Sequence, residues 1–341
     1  MALSVLLILV SFVVILLAAE LFTNSVEWVG LRLGLGHGPV GSVLAAVGTA
    51  LPETMIPLIA ILVVGSAEAE EIGIGAILGA PFLLSTAAFA VTGLGVILFA
   101  KRRTQGTEML LDAVVIRRDL GYFFAVYVLA IGASFLPLHG LKVGVAVVLL
   151  GLYGLYVFRT FAHDSGDVGA GEEELERLRF HAFVGGRGSP PLAFILFQLV
   201  VSLGMIIGGA QLFVTNLEDV AHELGLPALA LALIIAPPAT ELPEKFNSII
   251  WVRQGKDTLA MGNISGAMVF QSCIPVSVGV VFTHWDLTQT ALVSAVIALA
   301  STGVVYLSIR RRGLLSSYVL ARAGLLWVGF VIYVIVKIAI E

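Results

Sequence analysis

The sequence predicts an all-α polytopic membrane protein of ten transmembrane helices, built as two inverted five-helix repeats. Three observations predict it: a composition too apolar for life in water, ten apolar stretches of spanning length, and a gapless internal repeat. Of the 341 residues, 59% are hydrophobic and only 12% are charged, and the mean hydropathy is +1.03. Soluble domains carry roughly 25% charge, so this chain lacks the polar surface to stay dissolved. The formal net charge of −4 comes with no basic run of the kind that grips nucleic acid. The single cysteine, Cys273, excludes an internal disulfide.

A span needs about 20 apolar residues. Stretches of that kind lie near 2–30, 38–64, 72–99, 119–137, 140–160, 191–217, 227–252, 258–282, 288–309 and 314–340. The first reads as a retained helix and not a signal peptide, because no Lys or Arg precedes Arg32 and the apolar run is too long. Between spans, fifteen Lys and Arg residues fall in the loops after the odd-numbered helices, and only Lys142 falls in the others. The positive-inside rule therefore places the odd loops in the cytoplasm and both termini outside a cell membrane. Residues 161–189 read as a cytoplasmic linker with a short amphipathic helix near EEELERLRF, and the basic segment 101–119 as a surface helix at headgroup level.

Residues 19–53 align with 210–244 at an offset of 191 without a gap, and 13 of 35 positions match, including Thr49/Thr240, Pro52/Pro243 and Glu53/Glu244. With five spans per copy, the two copies enter the membrane from opposite sides. The chain thus divides into a first repeat at 1–160 (motif region 19–80), the linker, and a second repeat at 190–341 (motif region 210–271).

The matched segments, GTALPET at 48–54 and ATELPEK at 239–245, place acids where no water can solvate them. An intramembrane charge costs at least about 2.5–3.5 kcal/mol, and a cation would be its counter-ion. Proline removes a helical donor and frees the carbonyl four residues back. Pro52 frees Gly48, Pro243 frees Ala239, and Pro237 with Pro238 frees Leu233 and Ile234. Two broken helices would then offer carbonyls, the hydroxyls of Thr49 and Thr240, and up to four oxygens from Glu53 and Glu244. Such an oxygen-rich set suits a hard metal ion such as Ca²⁺. Glu241 and Lys245, at i and i+4, make a favourable pair on one helix face. That pair is either a structural ion pair or a built-in ammonium that changes the coupling ion. Glu27 and Glu218 also match across the copies, read either as an ion entrance or as helix-end structure. Glu20 and Asn24 lie within the first span, and Asn247 and Gln271 read as partners of the site.

GTALPE at 48–53, preceded by AELFTNSVEWVGLRLGL, and ATELPE at 239–244, preceded by GGAQLFVTNLEDVAHELGL, resemble the two repeats of the cation/Ca²⁺ exchanger superfamily. GAILGA at 75–80 and GNISGA at 262–267 stand where the family carries G-[ND]-x-x-G-S. The resemblance spans nearly the whole chain. It implies a secondary antiporter moving Ca²⁺ against Na⁺, or against H⁺, by alternating access, with no permanently bound cofactor and inorganic cations as partners in a lipid bilayer. It implies cation ligands at Glu53, Glu244, Thr49, Thr240 and Asn263. The family's first-repeat carboxamide is Ala76 here, and its hydroxyls are Ala50, Glu241, Ala80 and Ala267, so sodium coupling is not assumed. A non-transporting relative of the same fold stays open. An enzyme is not expected, because the sole His-Glu pair, His222-Glu223, lacks the second histidine of a zinc protease.

Overall fold

A computed structural model describes residues 1–32, 53–163, 176–186 and 188–340, without the side chains of 161–163, 239, 242–247 and 312. It is almost entirely helical. Helix α1 spans Ala2–Arg32 and α2 spans Glu53–Val64, ending in a π-turn over Ala60–Val64 that Gly65 closes at φ 67°. Helix α3 runs Ala67–Leu83 and passes through a second π-turn, Leu84–Ala88, into α4 at Phe89–Phe99. Pro81 lies inside α3, and the missing donor precedes the wider turn. Then come α5 (Ala113–Gly132), α6 (His139–His163), the short α7 (Arg179–Phe183), α8 (Leu192–Leu224), α9 (Ala228–Arg253), α10 (Asp257–Phe282), α11 (Gln289–Arg312) and α12 (Ser317–Ile340).

Seven described segments are long and apolar enough to cross a bilayer, and Glu53–Val64 and Ala228–Pro238 are shorter apolar helices. The protein is a membrane protein with several apolar spans. Helix α5 is not among the seven because Arg117, Arg118 and Asp119 occupy its first turns.

That last point corrects the expectation of a surface helix at 101–119. Residues Ala100–Arg102 form a 3₁₀ turn. Glu108–Met109 (β1) then pairs antiparallel with Leu315–Ser316 (β2), Glu108 opposite Ser316. Asp112 caps α5, its carboxylate accepting from the amides of Val114 and Val115 at 2.9 and 3.1 Å. Arg103 tucks inward and donates to the Val252 carbonyl at the end of α9 and to the Asp257 carboxylate at the start of α10.

Two bodies make up the fold. Helices α1 and α8 pack along each other and meet α2, α3 and α9 through a separate apolar cluster around Ile15, Phe213, Ile56, Ile72 and Ala232. Helices α3–α6 and α9–α12 share one continuous core around Phe82, Phe89, Phe123, Tyr127 and Trp285. Helix α1, at 31 residues, is about 46 Å long, well beyond a hydrocarbon core of about 30 Å. Its end near Arg32 therefore projects, and α7 docks there. Asn24 and Trp28 both donate to the Glu176 carbonyl, at 3.3 and 3.0 Å. The amides of Arg179 and Phe180 donate to Asn24 and Gln198, at 3.2 and 2.8 Å. Arg179 pairs with Glu20 at 2.7 Å. Glu20 and Asn24 are thus linker contacts at a projecting helix end, a result the apolar pattern of α1 could not give.

Candidate cation site

Glu53 is the first described residue of α2 and is only 7% exposed. Gln271 of α10, itself buried, donates its carboxamide nitrogen to Glu53 Oε2. Thr240 of α9 is also buried, and its hydroxyl turns back on the carbonyls of Ala236 and Pro237 at 3.4 and 3.3 Å. The end of α3 nearest α2 is tied to both neighbours. Ser66, the N-cap of α3, donates to Glu218 of α8, and Glu71 accepts from the Leu229 amide of α9 at 3.5 Å. Counting 1.5 Å per residue from that common end, Glu53 and Thr240 lie about 17 and 18 Å deep, near the middle of a bilayer.

What brings α9 against the first half is the glycine spacing of α3. A Cβ on Gly75 would stand 2.6 Å from the Leu229 carbonyl, and one on Gly79 would stand 2.6 Å from Pro237 Cγ and 2.7 Å from the Leu233 carbonyl. GAILGA therefore acts as a small-xxx-small contact face. This seating also explains why α9 is assigned as helix without interruption from Ala228 to Arg253, although Pro237, Pro238 and Pro243 lie within it. The expected break of the second copy is absent from the described backbone. Close packing of α3 against Leu229, Leu233 and Pro237 supports the turns leading into the prolines.

The remaining expected residues divide into those the structure describes and those outside the described residues. Ala76 is buried in an apolar cluster with Ile56, Ala232 and Ala236, and brings no oxygen. Asn263 lies on α10 eight residues before Gln271, hence about 12 Å nearer the other end, with its amide nitrogen buried and unpartnered among the described residues. Gln271, and not Asn263, is the α10 side chain that meets Glu53. Glu241 is fully buried on α9. Thr49, with Ala50 and Pro52, lies outside the described residues, and so do the side chains of Glu244, Lys245 and Asn247. Among the described residues no group of three His, Cys, Asp or Glu side chains could hold a metal ion. Glu218 ties α8 to the α2–α3 turn through Ser66, the helix-end reading of that residue.

Asp119 is a further buried acid, one that no motif or periodicity singles out. It sits on α5 at 2% exposure, accepting from the Ser265 hydroxyl of GNISGA at 3.0 Å and from Arg118 at 3.1 Å. In sequence it is one residue of a charged run, and only the packing of α5 on α10 reveals its burial.

The family model described as "Sodium/calcium exchanger protein" matches residues 3–162 and 194–339. The chain is 23% identical over 291 residues to the inner membrane protein YrbG of Escherichia coli (strain K12), covering 85% of this chain and 83% of that one. Its fold is similar to the H⁺/Ca²⁺ exchanger CAX, with a TM-score of 0.68 and 18% identity over 99% of this chain and 87% of the other. It is also similar to the sodium-calcium exchanger NCX_Mj, with a TM-score of 0.56 and 19% identity over 96% and 97%.

Proposed function

The chain belongs to the sodium/calcium exchanger protein family, and from that premise we propose that it is a secondary antiporter moving Ca²⁺ across the cell membrane. The single observation that carries this reading is the Glu53–Gln271 contact. A carboxylate from the first copy of the repeat meets a carboxamide from the second half, with Thr240 at the same depth. Ca²⁺ takes carboxylate, carboxamide and hydroxyl oxygens together, and these are the groups that α2, α9 and α10 bring to this depth. Glu244, at the position matching Glu53, is proposed as the second acid, with Thr49 as a further ligand.

The reading takes the halves, 1–160 and 190–341, as inverted repeats of five helices joined by a cytoplasmic linker, with both termini outside. The directions of α2 and α9 support it. Helix α2 runs toward the end marked by Ser66, while α9 starts from that end and runs away. Alternating access then requires only that one body shift against the other. The α1–α8 pair meets the rest through an apolar cluster separate from the larger core, and that seam supplies a natural division.

Sodium is the proposed counter-ion, in line with the family. A proton is the second reading, favoured by the shortage of neutral oxygens: Ala76, Ala80 and Ala267 stand where the resemblance places oxygen-bearing side chains. Purified protein in sealed vesicles decides between them. Ca²⁺ uptake driven by an imposed Na⁺ gradient supports the first, uptake driven only by a pH gradient supports the second, and uptake under neither overturns both.

A further inference from the structure

Helix α10 presents two different faces to the two halves of its surroundings. Gln271 meets Glu53 on one. Gly262, Ser265 and Gly266 lie on another, where a Cβ on Gly266 would stand 3.5 Å from the Tyr156 hydroxyl and one on Gly262 would stand 4.0 Å from Ile116. On that second face the buried Asp119 carboxylate accepts from Ser265 through Oδ2 at 3.0 Å. Its Oδ1 accepts from Arg118 Nε and Nη2 at 3.2 and 3.1 Å, and Tyr156 hydrogen-bonds to the same carboxylate. The Arg118 guanidinium lies over the Tyr156 ring, 5.8 Å from its centroid. Glycine packing alone would bring α5, α6 and α10 together. A buried carboxylate is a costly addition to such a contact, and what it adds is direction: a hydrogen bond fixes an angle where apolar packing permits slippage.

We propose that Asp119 is a positioning residue for the cation site. By holding Ser265 it fixes the rotation of α10 about its axis, and so the approach of Gln271 to Glu53. The inference rests on the antiport reading above. Ser265 and Gln271 are six residues apart, which places them about 120° apart around the helix and about 9 Å along it. With side chains some 5–6 Å from the axis, a 20° rotation carries the Gln271 carboxamide roughly 2 Å, enough to break its bond to Glu53. The chain also contains its own reporter. Cys273, the sole cysteine, is fully buried on α10, and at eleven residues from Gly262 it lies within about 20° of the same face.

The test uses the full chain, in vesicles for uptake and in detergent for labelling. Asp119→Ala is expected to raise the Ca²⁺ concentration for half-maximal uptake about tenfold, with maximal rate within about twofold of the parent. Cys273 in that variant is expected to react with a maleimide several-fold faster. Asp119→Asn keeps an acceptor for Ser265 and is expected to stay within about threefold on both readouts. An unchanged half-maximal concentration with unchanged labelling overturns the proposal. So does a fall in maximal rate alone that Asp119→Asn fails to repair, because that is the signature of mere packing. Should Asp119→Ala fail to reach the membrane, Ser265→Ala takes its place, with a shift of the same sign expected and no shift counting against. A parent protein that transports nothing sinks the antiport reading instead, and Cys273 labelling still reports whether Asp119 holds α10.

Discussion

Arg103 and Asp257 form an ion pair of 2.6 Å whose two side chains are each 1% exposed. Arg103 comes from the connection after α4 and Asp257 from the first turn of α10, so the pair joins the two halves of the chain. It does more than neutralise charge. The same guanidinium caps the carbonyl end of α9 at Val252, and Asp257 accepts from the Leu110 amide at 2.9 Å. One contact thereby anchors the adjoining ends of the two helices that carry ATELPEK and GNISGA.

Arg103→Met leaves the Asp257 charge buried without its cation, and the expected loss of stability is roughly 3–5 kcal/mol. Adding Asp257→Leu removes the stranded charge and is expected to recover most of it. Chemical denaturation in detergent micelles measures both. A single variant as stable as the parent would show that the pair contributes nothing.

Glu53→Gln removes the charge while keeping the shape, and Ca²⁺ uptake is expected to fall at least about a hundredfold. Gln271→Ala deletes one charge-assisted hydrogen bond, a loss of about 1.5–3 kcal/mol. It should therefore weaken apparent Ca²⁺ affinity by roughly ten- to hundredfold while leaving some transport. Initial uptake rates across a range of Ca²⁺ concentrations separate the two effects, and full activity of Glu53→Gln would move the site elsewhere.

Bound Ca²⁺ should also stabilise the fold directly. At a hundred times its dissociation constant it is expected to add about 2.7 kcal/mol, visible as a rise in melting temperature that Glu53→Gln abolishes. A rise of equal size in that variant would mean that Ca²⁺ binds at some other place.

Gly79→Ala puts a methyl group against Pro237 and the Leu233 carbonyl, at distances that require α3 and α9 to separate. Overpacking of this kind costs roughly 1–3 kcal/mol, and the displaced α9 carries Thr240 with it. Both stability and uptake should fall. Gly121→Ala, where nothing lies within 4 Å of the added carbon, is the control that should change neither.

The docking of α7 can be read by hydrogen exchange. The Arg179 and Phe180 amides donate to the side chains of Asn24 and Gln198. Asn24→Leu removes the first acceptor and loosens the second, because Gln198 also donates to Asn24 at 3.1 Å. Exchange at Arg179 and Phe180 is expected to speed up markedly while that of the α10 core stays slow. Unaltered protection at those two amides would show that some other contact holds the linker.

Part of the candidate site is legible in the sequence, because it is written as a repeated motif. Glu53 and Thr240 stood out through their partners at an offset of 191, and both prove buried. Gln271 was visible only as a polar residue in an apolar span. Its bond to Glu53 joins positions 218 residues apart, a pairing that no local pattern encodes. Pro237, Pro238 and Pro243, in and just before ATELPEK, misled for a related reason. Local chemistry predicts a break, whereas Gly75 and Gly79 on a different helix supply the packing that keeps α9 whole.

By itself the amino-acid order determined that this chain lives in a bilayer, roughly where its helices run, and that Glu53 and Glu241 fall within apolar stretches. Those properties follow from the solvation of single residues and short runs, which composition and periodicity record directly. Only the tertiary arrangement decided that Arg103 reaches Asp257, that Asp119 holds Ser265, and that Glu20 and Asn24 serve the linker. In each case the partner lies more than a hundred residues away, and which polar groups meet is set by the angle and depth at which helices pack.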